Sequence, residues 1–244
     1  MKLHVYPVSE LTHAVATCVS QLSNQAIETR NNFSVAISGG SLPKLLFPPL
    51  TVSPLSETVD WNNWHVFWAD ERCVPKHDPE SNYLLARTYL FDHVKIPQTH
   101  IYSPDTALNP EDMAHTYQNT LQSYFHASSG IFPIFDLIML GMGEDGHTAS
   151  LFPNHALLHE KNRWIAPIYD SPKPPPGRIT MTLPVINNAR HVLFLITGVG
   201  KAHTLRKIFS GNTNPYAVPA KMIQLSDGEL HWFLDEAAAS ELEK

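Results

Sequence analysis

Glycine, acid and histidine crowd one short stretch, Gly141-Met142-Gly143-Glu144-Asp145-Gly146-His147, which follows directly on the apolar run Phe135–Leu140. An imidazole exchanges a proton with water near neutral pH, and a carboxylate two residues away is placed to orient it. Glycines let backbone amides come close to a substrate. These residue types suit proton transfer on a small molecule at the end of a buried strand. A structural alternative is that His147 caps a helix holding Ala149–Leu151. His93 and His100 have no such context and read as surface residues.

Three other segments carry chemistry. Ser38-Gly39-Gly40-Ser41 follows a strand-like run and precedes Pro43, so its amides and the positive end of the next helix suit an anion such as phosphate. A tight turn with Ser41 as N-cap is the plainer reading. The segment matches neither a Walker loop nor GxGxxG, which leaves nucleotide binding without support. Asp70-Glu71-Arg72 pairs carboxylates with a guanidinium, able to orient sugar hydroxyls and meet an oxyanion, or simply to form a surface ion pair. Cys73 in that loop has no evident partner base and reads as a packing residue. Arg178 begins a strand-like run and Lys201 follows Gly198-Val199-Gly200, two cations suited to a phosphate.

These segments need a scaffold that brings them together. Apolar periodicity predicts strands at Leu3–Tyr6, Phe33–Ile37, Trp64–Ala69, Phe135–Leu140, Trp164–Tyr169, Ile179–Leu183, Val192–Thr197 and Leu230–Leu234. Helices are predicted over Ser9–Arg30, Pro43–Leu50, Asn82–Leu90 and Glu111–His126, near Lys201–Phe209, and at the C-terminus. The alternation predicts an α/β fold, a mostly parallel sheet with helices on both faces, whose ligands sit beyond the carboxyl ends of the strands. The chain fits one domain, 1–244. Ser171–Gly177, SPKPPPG, reads as a stiff surface loop.

A net charge of −6 argues against nucleic acid or an anionic membrane as partner, so an anionic ligand needs a local basic cluster. Cys18 and Cys73 cannot make a disulfide framework and suit a reducing compartment, or simple burial. The start, interrupted by His4, Glu10 and His13, lacks the core of a secretory signal, and no run is long enough to span a bilayer. The expectation is a cytoplasmic protein. No compact His/Cys/Asp spacing suggests a metal, no organic cofactor is implied, and no obligate protein partner is evident.

Asp70-Glu71-Arg72 with Val74-Pro75, and Gly141 through Pro153, resemble the 6-phosphogluconolactonase family, and the resemblance runs from the Ser38–Pro43 loop to the Gly198–Lys201 turn. It implies a Rossmann-like fold and hydrolysis of 6-phospho-D-glucono-1,5-lactone in the oxidative pentose phosphate pathway, without metal or cofactor. By the same resemblance His147 is the base that activates water, and Asp70, Arg72 and Asp145 line the reacting end. Gly39, Gly40, Ser41, Arg178 and Lys201 hold the phosphate. Leu42 departs from the family's common threonine. The related glucosamine-6-phosphate deaminases share the Asp70-Glu71 pair and Asp145-Gly146-His147, but Arg72 and Ser150-Leu151-Phe152-Pro153 favour the lactonases. A non-enzymatic phosphosugar sensor would have no use for His147. The chain contains no GxSxG elbow, consistent with direct attack by water.

Overall fold

The computed structural model describes residues 1–127, 130–211 and 213–242. Strand β1 (Lys2–Tyr6) leads into helix α1 (Val8–Arg30), and β2 (Phe33–Ile37) into α2 (Leu42–Leu50). β3 (Trp64–Trp68) runs on into the short β4 (Asp70–Arg72). Then follow α3 (Asn82–Ala86), α4 (Pro110–Phe125), β5 (Leu137–Leu140), β6 (Ile165–Ile168), β7 (Arg178–Met181), α5 (Leu183–Asn187), β8 (His191–Ile196), α6 (Ala202–Phe209) and β9 (Glu229–Asp235).

Six strands form one sheet in the order β1-β9-β8-β5-β2-β3, every neighbouring pair parallel. All residues of β2 and β5 are buried, which is what a parallel sheet covered on both faces requires. α1 buries Leu11, Val15, Val19, Ser23 and Ala26, a stripe three to four residues apart, and the Trp64 indole donates to Ser23 Oγ at 2.7 Å. The helix stops where Asn31 turns left-handed (φ 61°) and returns its N–H to the Ile27 carbonyl. From β2 the chain continues to β3 on one side, while β5 lies on the other. The sheet order therefore reverses between β2 and β5, and the loops leaving their carboxyl ends part to leave a crevice.

The parallel sheet is not the whole framework. β4, β7 and β6 form a second, antiparallel sheet, pairing Asp70 with Thr180, Glu71 with Ile179 and Arg72 with Arg178. The Met181 amide donates to the Ala69 carbonyl at 2.7 Å, joining this small sheet to the end of β3.

Some expected elements take other forms. The Ile179–Leu183 strand ends at Met181, because Thr182-Leu183-Pro184 starts α5. The Asn82–Leu90 helix widens into a π turn from Arg87 to Phe91. Beyond β9, Glu236–Glu241 forms turns instead of a helix, since the Asp235 carboxylate takes the amides of Ala238 and Gly198; residues 243 and 244 lie outside the described residues. His100 is half-buried, its ring stacked on His65 with centroids 3.9 Å apart, and so is not a simple surface residue.

Candidate active site

Sheet order decides which loops meet. The loops after β2, β3, β5 and β8 leave four consecutive strands at their carboxyl ends, and β7 approaches from the small sheet. Between them lies a cavity of about 380 Å³ lined by Ser38–Ser41, Asp70, Arg72, Glu80, Gly141–Gly143, His147, Ala149, Lys173, Pro174, Arg178 and Lys201. Of the residues singled out from the sequence, Gly39, Gly40, Ser41, Asp70, Arg72, His147, Arg178 and Lys201 line it directly. Asp145 stands one step behind, on the far side of the His147 ring.

The loop after β5 is built around that ring. Gly143 donates its amide to the His147 carbonyl at 2.9 Å, and Thr148 Oγ1 donates to the Gly141 carbonyl at 2.9 Å. A side chain at Gly143 would run into the His147 imidazole and the Asp145 carboxylate. No helix follows: Ala149 is left-handed (φ 47°) and Thr148 bridges to Leu151, so His147 is not a helix cap. The turn instead brings Phe152 beneath the imidazole, ring centroids 4.9 Å apart.

His147 Nδ1 lies 2.5 Å from Asp145 Oδ1. A carboxylate only accepts, so Nδ1 carries the proton and Nε2 is left as the free acceptor. Lys173 Nζ stands 3.4 Å from the same Nδ1 and 3.8 Å from Asp145 Oδ1. Because Nδ1 already donates to the carboxylate, Lys173 acts on the pair through its charge. Burial alone would raise the Asp145 carboxyl, but the hydrogen bond and charge of His147, with Lys173, hold it down at about 2.

Asp70 is buried and bonded on both oxygens, accepting from Ser38 Oγ at 2.7 Å and Ser150 Oγ at 2.9 Å. Ser150 in turn meets Arg178 Nη1 at 3.3 Å. Asp70 thus links the loops after β2, β3 and β5 to the small sheet. Asp70→Ala removes the acceptor of two hydroxyls and should cost about 1–3 kcal/mol, read as a lower urea midpoint. A wild-type midpoint would show that the hydroxyls find other partners.

Four cations line the cavity against two carboxylates, Asp70 and Glu80, which supplies the local basic cluster that a chain of net charge −6 needs for an anionic ligand. Arg72 and Arg178 are register partners, like charges side by side, and the Arg178 guanidinium is held below its usual range first by burial and then by Arg72. Arg72 Nη1 donates to the Glu80 carbonyl at 2.5 Å. Arg178 sends Nε to the Pro175 carbonyl and Nη2 to the carbonyls of Lys173 and Pro174. With the bond to Ser150, four of its five N–H groups are engaged and one remains for a ligand. Opposite, Gly40 needs its left-handed φ of 70° to turn the loop into α2. Ser41 sits at the N-cap position but makes no capping bond, so its hydroxyl is left over. Leu42 packs into the core, which accounts for an apolar residue there.

Sequence reasoning missed Lys173, Ser150 and Glu80. The Lys173 loop read as solvated surface, although a cation in a proline-stiffened segment was its one signal. The Glu71 carboxylate lies beneath the pocket, accepting the amides of Arg72, Asn82 and Tyr83 at 2.7–2.8 Å and thereby fixing β4 to the start of α3. The Cys73 thiol packs 3.4 Å from Met113 Sδ and is pushed up to about 11 by burial and by Glu71, which leaves no thiolate for catalysis.

Comparison with known proteins places the chain in a family and a fold. A relative from Oryza sativa subsp. indica named probable 6-phosphogluconolactonase 3, chloroplastic, is 44% identical over 95% of this chain and 73% of its own. Another from the same source, probable 6-phosphogluconolactonase 2, is 41% identical over 96% and 87%. The solved 6-phosphogluconolactonase of Trypanosoma cruzi superposes with a TM-score of 0.87 at 28% identity, over 100% of this chain and 97% of that one. The family model described as glucosamine-6-phosphate isomerases/6-phosphogluconolactonase matches residues 7–232, and the chain belongs to that family.

Proposed function

We propose that this enzyme hydrolyses 6-phospho-D-glucono-1,5-lactone to 6-phospho-D-gluconate, the lactone-opening step of the oxidative pentose phosphate pathway. The observation that carries the reading is a histidine–aspartate pair facing four cations in one cavity. His147 Nε2 takes a proton from water as the water oxygen attacks the lactone carbonyl carbon. The carbonyl oxygen becomes an oxyanion, which Arg72 and Lys173 offset. Collapse of this intermediate breaks the bond to the ring oxygen, which leaves with the proton held by His147. The product carboxyl then ionises, so turnover releases acid. Gly39, Gly40, Ser41, Lys201 and the remaining Arg178 N–H hold the phosphate.

Acid release from freshly generated lactone, faster than the spontaneous rate, is the expected result, together with no ammonia release from glucosamine 6-phosphate. Ammonia release without lactone opening would establish a deaminase, and tight phosphosugar binding with neither reaction a sensor. Lys173→Met removes a positive charge that offsets the oxyanion in this reading and should lower kcat. An unchanged kcat would separate Lys173 from the reacting end.

No helix among the described residues is long and apolar enough to cross a membrane. The Oryza relatives include one named chloroplastic and one whose name gives no compartment. Cytoplasmic residence is part of this proposal, with cell fractionation as its test.

A further inference from the structure

A second cluster of titratable groups lies at the opposite end of the sheet, where strands β8 and β9 begin. His191 and Glu229 are register partners, and His231 follows Glu229 by two residues and so projects from the same face. Glu229 Oε2 lies 3.4 Å from His231 Nε2 and 3.9 Å from His191 Nδ1, and one ligand atom from each residue falls within 4.8 Å of the other two. His231 is 4% exposed, yet among the described residues neither of its ring nitrogens has a hydrogen-bond partner; the same is true of His191 Nδ1. A cavity of about 780 Å³ opens on the cluster, walled by His4, His13, Thr17, Cys18 and Gln21.

We propose that His191, Glu229 and His231 form a binding site for one divalent transition-metal ion of the zinc class. Two imidazoles and one carboxylate, with a water in the fourth position, are a ligand set that suits zinc, whereas calcium and magnesium prefer oxygen alone. Bonds of about 2.0–2.2 Å set tetrahedral ligands about 3.3–3.6 Å apart. The Glu229–His231 separation already meets this, and the His191 ring, 3.9 Å from Glu229, has to move inward to complete the set. A metal bond would satisfy one of the two unpartnered His231 nitrogens, Nε2. The Lys2 ammonium, 2.9 Å from Glu229 Oε2, is the cation now beside the carboxylate, and it is exposed and able to swing away.

The test is titration of chelator-treated protein with Co²⁺, followed by its visible absorption, and with Zn²⁺, followed by calorimetry. One ion per chain in a tetrahedral spectrum is expected. Loss of a ligand in His191→Gln or Glu229→Gln should weaken binding roughly tenfold or more, without changing lactone hydrolysis. Both positions are partly exposed, so the core is undisturbed, and circular dichroism checks the fold. Lys2→Ala frees the carboxylate and should tighten binding. His147→Ala should leave it unchanged, which separates this site from the catalytic imidazole. No binding at millimolar Zn²⁺, binding indifferent to His191→Gln and Glu229→Gln, weaker binding in Lys2→Ala, or loss of binding in His147→Ala would each overturn the assignment.

Discussion

His147→Ala should lower kcat for lactone hydrolysis by about 10²–10⁴-fold while a phosphosugar analogue binds as before. The size follows from what the imidazole does alone. Among the described residues the hydroxyls of Ser38 and Ser150 donate to the Asp70 carboxylate and not to an imidazole, so in the proposed mechanism water is the nucleophile and its proton goes to Nε2. Affinity survives because the phosphate contacts come from other loops. Asp145→Asn should cost less than His147→Ala, since the aspartate orients the ring and offsets the imidazolium without taking the proton from water. The two groups also separate on the pH axis. Asp145, held down at about 2, stays ionised throughout the working range, so a loss of activity toward acid does not come from its protonation. Unchanged kcat in His147→Ala would show that another base serves.

Unphosphorylated gluconolactone should be a poorer substrate by about 10²–10⁴-fold in kcat/KM. Charge-assisted contacts contribute about 1.5–3 kcal/mol each, and Lys201 with the remaining Arg178 N–H supplies two, a total of about 3–6 kcal/mol. Lys201 is the cleaner probe, because its nearest acidic group, Glu144, stands 4.0 Å away and makes only a loose pair. Lys201→Ala should raise KM with little change in kcat if the contact is equally strong in ground and transition states. Arg178→Ala should damage both constants, because its guanidinium also carries the Lys173 loop. Equal kcat/KM for the two lactones would remove the phosphate anchor from the account.

Legibility in the sequence followed the length and regularity of each element. β2, matched residue for residue, and α1, matched to within one residue, are long apolar patterns between clear stops, Asn31-Asn32 and Ser38-Gly39-Gly40. The parallel sheet follows from such units, and so does the expectation that four glycine-rich or charged loops share an edge. The antiparallel sheet was hidden because Asp70-Glu71-Arg72 is short and charged and shows no alternation. Its pairing with Arg178 depends on register across more than a hundred residues. The expected C-terminal helix does not form, because Ala237-Ala238-Ala239 is too short a run to propagate once Asp235 takes the Ala238 amide. Lys173 reaches His147 only because Arg178 gathers the carbonyls of its loop, a contact that no local pattern encodes. His191 and His231 likewise have no spacing that marks a metal site, and strand pairing alone places them together.

The claim that His147 is the base is tested most directly by the pH dependence of kcat/KM for wild type and His147→Ala, each point corrected for spontaneous lactone opening. The account predicts that the wild-type rate falls toward acid as the imidazole takes up a proton, and that the residual activity of His147→Ala lacks this limb. An acidic limb that survives unchanged in the still-active variant would contradict it.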